Sequence, residues 1–106
     1  MKIAVTATGG SMSAQVAQNF GRCEYFIIVD SDTMKFEPVS NSATSMMGGA
    51  GPAAAKVIND KDCKILLTGA VGPNAENALK QYGIEVVQGT AGTVKEAVEK
   101  YIKDKG

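Results

Sequence analysis

Residues Glu24 to Asp30 read EYFIIVD, an unbroken apolar, aromatic and β-branched run of strand length. A strand with no polar face is buried on both sides, so layers have to cover both faces of its sheet. The chain of 106 residues has the length of one domain spanning 1–106, with enough material for one core and not for two. Every other element has to be arranged around that central run.

The flanking segments supply the parts. Lys2 to Ala7 reads as a first strand. Ser31-Asp32-Thr33 is a tight turn, and Met34 to Val39 contains Pro38, which suits an edge strand in a hairpin with the apolar run. Pro52 to Asp60 reads as a helix, with Pro in its first turn and Ala53-Ala54-Ala55 behind it. Lys64 to Thr68 and Ile84 to Val87 are short strands. Between them Pro73 to Tyr82 is a helix, with Ala75, Ala78, Leu79 and Tyr82 on one stripe and Gly83 as the stop. Thr93 and Glu96 form a capping box ahead of the stripe Val94, Ala97, Val98, Tyr101 and Ile102. The order β-β-β-α-β-α-β-α predicts an α/β fold. Its five-stranded mixed sheet has order 3-2-1-4-5 with strand 2 antiparallel, and its switch point lies between strands 1 and 4.

That topology gathers five segments at one end of the sheet: Thr8 to Met12, Phe20 to Cys23, Asn41 to Gly51, Gly69 to Asn74 and Gly89 to Thr93. Ligands in open α/β sheets bind at this end, at the switch point. Three of the segments are glycine-rich and lead into helices: Gly48-Gly49-Ala50-Gly51-Pro52, Gly69-Ala70-Val71-Gly72-Pro73 and Gly89-Thr90-Ala91-Gly92-Thr93. Helix starts present unpaired N–H groups and partial positive charge, so they suit anions. Taken one loop at a time, these glycines are equally well explained as turn residues. Together with the only arginine, Arg22, they point to a site that takes in Thr8, Gly9, Gly10, Gly51, Gly69, Gly72 and Gly89. Met46 and Met47 either pack against the fold or cover a soft, sulfur-rich ligand. Cys23 follows Arg22, and a guanidinium beside helix starts favours a thiolate, making Cys23 a candidate metal ligand; the alternative is a buried, inert thiol. Cys63 precedes the fourth strand at the opposite end and reads as structural.

Several functions are excluded or disfavoured. The 11 basic and 11 acidic residues cancel, which argues against a broad cationic surface for nucleic acid. There is no His, so no imidazole can act as acid, base or metal ligand. No general acid–base agent stands at the expected site, and a non-catalytic protein is expected. The two cysteines lack CxxC spacing, so a four-ligand zinc site within one chain is not available. No apolar stretch is long enough for a membrane span, and no export signal opens the chain, so a cytoplasmic location is expected. Gly49-Ala50-Gly51-Pro52-Ala53-Ala54 matches GxGxxA but follows a long loop, and no acidic residue closes the next strand.

The segments Phe20-Gly21-Arg22-Cys23-Glu24-Tyr25-Phe26, Val39-Ser40-Asn41, Gly48-Gly49-Ala50-Gly51 and Gly69-Ala70-Val71-Gly72-Pro73-Asn74-Ala75, followed by Gly83-Ile84, resemble the dinitrogenase iron–molybdenum cofactor biosynthesis family. Its small stand-alone members include the orange-protein type, which carries a molybdenum–copper–sulfide cluster. The resemblance implies a ribonuclease-H-like three-layer fold. It also implies a carrier for an anionic metal–sulfur cluster (iron–sulfur, iron–molybdenum or molybdenum–copper) or for a cofactor precursor, exchanging with donor and acceptor proteins of cluster assembly as a monomer or weak dimer. Carried over by position, it points to Arg22, Cys23, Asn41, Gly48, Gly49, Gly51, Gly72 and Asn74. Some cofactor-carrying members use a His that this chain lacks. Two other readings stay open: a binder or enzyme for a phosphorylated metabolite or nucleotide at the helix starts, and a protein-interaction module whose 41–49 loop orders on a partner.

Overall fold

A computed structural model describes residues 1–41 and 50–105. The elements are β1 (Lys2–Ala7), β2 (Tyr25–Asp30), β3 (Phe36–Ser40), α1 (Ala50–Asp60), β4 (Ile65–Leu67), α2 (Pro73–Gln81), β5 (Glu85–Val87) and α3 (Val94–Lys105). The sheet has the expected order β3-β2-β1-β4-β5. β2 pairs antiparallel with both neighbours, from Ala7↔Tyr25 to Lys2↔Asp30 on one side and with Phe36–Ser40 on the other. β4 pairs parallel with β1 and with β5.

The unbroken run is explained by the two layers it feeds. Phe26 and Ile28 point to one face, where they join Ala4, Leu66, Ala54, Ala55 and Ile58 of α1, and Leu79 of α2. Ile27 and Val29 point to the other, with Ile3, Val5, Leu67 and the α3 residues Val94, Val98 and Tyr101. Successive strand residues alternate faces, so a central strand between two helical layers needs an apolar residue at every position. Each fully buried side chain of this size contributes about 2 kcal/mol.

Local signals set the element ends. At the hairpin, the Asp32 N–H donates to Asp30 Oδ1 at 2.9 Å and the Met34 N–H to Asp30 O at 2.7 Å. β3 is mostly exposed and carries Pro38 mid-strand at the sheet edge, where the missing donor costs nothing. α2 ends as its glycine predicts: Gly83, at φ +74°, donates to Lys80 O, and Ile84 donates to Leu79 O at 2.9 Å. The capping box forms in both directions, Thr93 N–H to Glu96 Oε1 at 2.9 Å and Glu96 N–H to Thr93 Oγ1 at 3.2 Å. α1 begins two residues before the expected Pro52, which moves Gly51 from a loop into the first helical turn. No helix among the described residues is long and apolar enough to cross a membrane.

Candidate functional site

The crevice expected between β1 and β4 is filled by the chain itself. The Ala17 N–H donates to Thr6 O at 2.8 Å, the Ala70 N–H to Gln18 O at 2.7 Å and the Phe20 N–H to Ala70 O at 3.1 Å. Residues 16–20 thus lie like an extra strand past the carboxyl ends of β1 and β4. Below them Thr6 Oγ1 donates to Ala17 O and lies 2.9 Å from Thr68 Oγ1, and both threonines are fully buried. Apart from Phe20 and Ala70, these residues carried no motif; a threonine near the end of each switch-point strand was their only other sequence signal.

The opening lies to one side, above the α1–α2 layer. It is a cleft of about 490 Å³ lined by Asn19 to Arg22, by Gly51 and Pro52 at the start of α1, and by Ala70 to Ala75 at the start of α2. Of the expected site residues it brings together Arg22, Gly51, Gly72 and Asn74. Met46, Met47, Gly48 and Gly49 lie outside the described residues. The remaining placements correct the expectation of one convergent site. Gly89 and the rest of the third loop border a separate hollow of about 380 Å³ against α3, on the opposite face of the sheet. Thr8 is bonded to Gln15 O, Gly9 packs by Ala14 and Gly10 by Tyr25 and Pro38, away from the cleft.

The helix starts also differ in whether their donors are spent. At α3 the Val94 N–H goes to Ala14 O and the Lys95 N–H to Met12 O, both at 2.9 Å, while Glu96 is taken by the capping box. Nothing remains there for an anion. At α2, Gly72 is the N-cap and gives no side-chain cap bond, Pro73 has no N–H, and Glu76 makes the first helical bond to Gly72 O. That leaves the first-turn N–H groups of Asn74 and Ala75 at the cleft with no helical carbonyl behind them. α1 brings a second helix start with no acidic residue in its first turn to offset the dipole.

Two of the glycines are required by packing. A Cβ on Gly51 would meet Ala75 Cβ at 2.7 Å, so Gly51 sets the close approach of α1 and α2. A Cβ on Gly69 would meet Gln18 O at 2.5 Å, so Gly69 admits the 16–20 segment. Gly72 has open space where a Cβ would stand.

Cys23 does not reach the cleft. It is 3% exposed, and its thiol donates to Phe20 O at 3.2 Å. Burial pushes it up to about 12, against which the Asn41 hydrogen bond is a smaller opposing effect. The expected thiolate beside Arg22 is therefore a protonated thiol in the core, because desolvation of the sulfur dominates. Cys63 is buried as expected, and burial pushes it up to about 11. Asn41 also lies behind the cleft; it is 3% exposed and donates to Cys23 O at 2.9 Å. Among the described residues no group of three His, Cys, Asp or Glu side chains could hold a metal ion. The described residues thus do not form a metal site of three or more such side chains, whereas N–H groups at the cleft and Arg22 in its lining suit an anion that brings its own ligands.

The class defined by this fold and cleft is a small three-layer α/β domain with an anion-suited opening at two helix starts. The sequence model of the dinitrogenase iron-molybdenum cofactor family matches residues 1–104, and the chain belongs to that family. An uncharacterised protein of Methanocaldococcus jannaschii is 29% identical over 99% of this chain and 88% of its own length. The apo form of the orange protein from Desulfovibrio gigas superposes with a TM-score of 0.95 at 40% identity, covering 98% of this chain and 88% of that one. A Thermotoga protein solved by NMR and described as a NifB candidate superposes with a TM-score of 0.84 at 32% identity, over 96% and 87% of the two chains.

Proposed function

We propose that this chain is a carrier for an anionic metal–sulfur species, a cluster or a precursor of the iron–molybdenum cofactor, held in the α1–α2 cleft. One observation carries the reading: Arg22 is the only ionisable side chain among the described residues lining the cleft. It is permanently cationic and cannot shuttle a proton. Two helix starts add positive potential, and no carboxylate in the described lining opposes it. Such a site suits an anion, and its described lining offers no agent for acid–base chemistry, which favours a carrier over a catalyst. The cargo keeps its own sulfide ligands and is held by the Asn74 and Ala75 N–H groups and by Arg22; Cys23 supports the wall from beneath. Donor and acceptor proteins of cluster assembly would load and unload the chain, as a monomer or weak dimer in the cytoplasm.

The test is anaerobic reconstitution with molybdate or iron plus sulfide, followed by metal analysis and visible absorption. A coloured protein is expected, with the colour lost in Arg22→Glu and kept in Cys23→Ala. A colourless, metal-free protein under all conditions would refute the carrier reading. Thermal stabilisation by nucleotides, with none by tetrathiomolybdate, would assign the same helix starts to phosphate instead.

A further inference from the structure

We infer that Asn41 is a positioning residue, which holds the turn bearing Arg22 in place from behind the cleft and does not itself touch the ligand; this rests on the reading of the cleft as an anion site. Asn41 directly follows β3 and is almost fully buried. Its Nδ2 donates to Cys23 O at 2.9 Å, reaches Gly21 O at 3.4 Å and lies 3.7 Å from Cys23 Sγ, a weaker contact than either carbonyl. Those two carbonyls belong to the residues on either side of Arg22, so one amide group spans the turn that carries the chain's only guanidinium. The Asn41 N–H donates to Glu24 O at 3.0 Å, which fixes the clamp to the entry of β2. The Cys23 thiol ties the same turn to Phe20 O at 3.2 Å, and Phe20 is anchored against Phe26 with ring centroids 5.6 Å apart.

The chemistry favours an amide at this position. A carboxamide offers two N–H hydrogens on one nitrogen, enough for two carbonyls. An ionised carboxylate of the same shape offers none and would face two carbonyl oxygens. Gly21 gives the turn a flexible residue directly before Arg22, so tying the turn down narrows the main-chain positions from which Arg22 projects. A charged group held in place binds its ligand without first losing that freedom.

The presence of one Arg makes the test direct, because the Arg Nε–Hε region of a 15N spectrum then holds one resonance. Relaxation of that resonance, and hydrogen exchange of the Arg22 main-chain N–H, are measured on the ligand-free chain for wild type and Asn41→Asp. Asn41→Ser, smaller and uncharged, takes its place if Asn41→Asp does not fold. The order parameter is expected to drop below about 0.6 in the variant, with faster exchange at Arg22. Affinity for tetrathiomolybdate is measured in parallel. Asn41→Asp is expected to weaken it roughly tenfold in wild type and negligibly in the Arg22→Ala background, the non-additivity of residues that act as one unit. A folded Asn41 variant with unchanged Arg22 order and exchange overturns the clamp. Equal losses in the two backgrounds also overturn it, since Asn41 would then contact the ligand itself. Loss of Arg22 order in the variant, with no thiomolybdate binding even by wild type, upholds the clamp and refutes the cargo.

Discussion

Alkaline pH should destabilise this protein through its two buried thiols. Burial raises Cys23 from 9.0 to about 12 and Cys63 to about 11. Above pH 9.0, the ordinary value, these thiols ionise in the unfolded chain but stay protonated in the folded one. The unfolded state then binds fewer protons, so stability falls as pH rises; the contribution is intact below the unfolded value and is lost on the way up to the folded one. At about pH 10.5, roughly 1.5 units of separation are expressed at Cys23 and slightly less at Cys63. At about 1.4 kcal/mol per unit this amounts to about 2 kcal/mol each, or about 4 kcal/mol together. The assay is urea unfolding under reductant at about pH 8 and about pH 10.5, comparing wild type with Cys23→Ala/Cys63→Ala. The double variant starts less stable because two buried sulfurs are gone, yet should lose about 4 kcal/mol less across the interval. Parallel declines in the two proteins would refute the reasoning. The same shift makes holding a Cys23 thiolate in the folded chain cost about 4 kcal/mol, the obstacle to metal ligation at this position. Iodoacetamide at about pH 8 gives an independent check: in the folded chain Cys23 should alkylate about 1,000-fold, and Cys63 about 100-fold, more slowly than in the urea-unfolded chain.

Three substitutions test the packing that shapes the cleft. Gly69→Ala places a Cβ against the Gln18 main chain, which has no flexible end to yield, and should cost about 3 kcal/mol, or a melting temperature lower by more than about 10 °C. Thr6→Val keeps the shape but strips the hydroxyl shared by Ala17 O and Thr68 Oγ1, and should cost about 1–3 kcal/mol in urea unfolding, whereas Thr6→Ser should cost less. Gly51→Ala should destabilise despite better helix propensity, because its Cβ meets Ala75 Cβ; adding Ala75→Gly should recover part of the loss, a non-additive pair in a double-mutant cycle.

The architecture was legible because its signals are side-chain signals. EYFIIVD demanded two covering layers, Pro38 marked an edge, Gly83 stopped α2, and Thr93 with Glu96 capped α3. The site was less legible because main-chain bonds decide it. Nothing in the side chains of Ala17, Gln18 or Phe20 announces that their main chain fills the switch point. Nor does the composition of Met12 or Ala14 show that their carbonyls consume the donors of α3. For Cys23 the sequence placed an arginine next door, which suggested a thiolate. What it could not weigh was the depth of the sulfur, which is buried and turned toward Phe20 O.

Three glycine-rich segments of similar composition therefore come to do different things, and hydrogen-bond accounting separates them. A helix start binds an anion only through donors that its own protein has left over. At α3 those donors are spent on Met12, Ala14 and Thr93, and the glycines before it serve the loop. At α1, Gly51 lets Ala75 come close, which draws the start of α1 up to the start of α2. At α2, Pro73 removes one donor while the next two stay at the cleft, with Gly72 leaving the approach open. The filled switch point strengthens this arrangement, since the 16–20 segment that closes the usual crevice runs on into Gly21 and Arg22. Closing one opening of the sheet thus delivers the only guanidinium to the other.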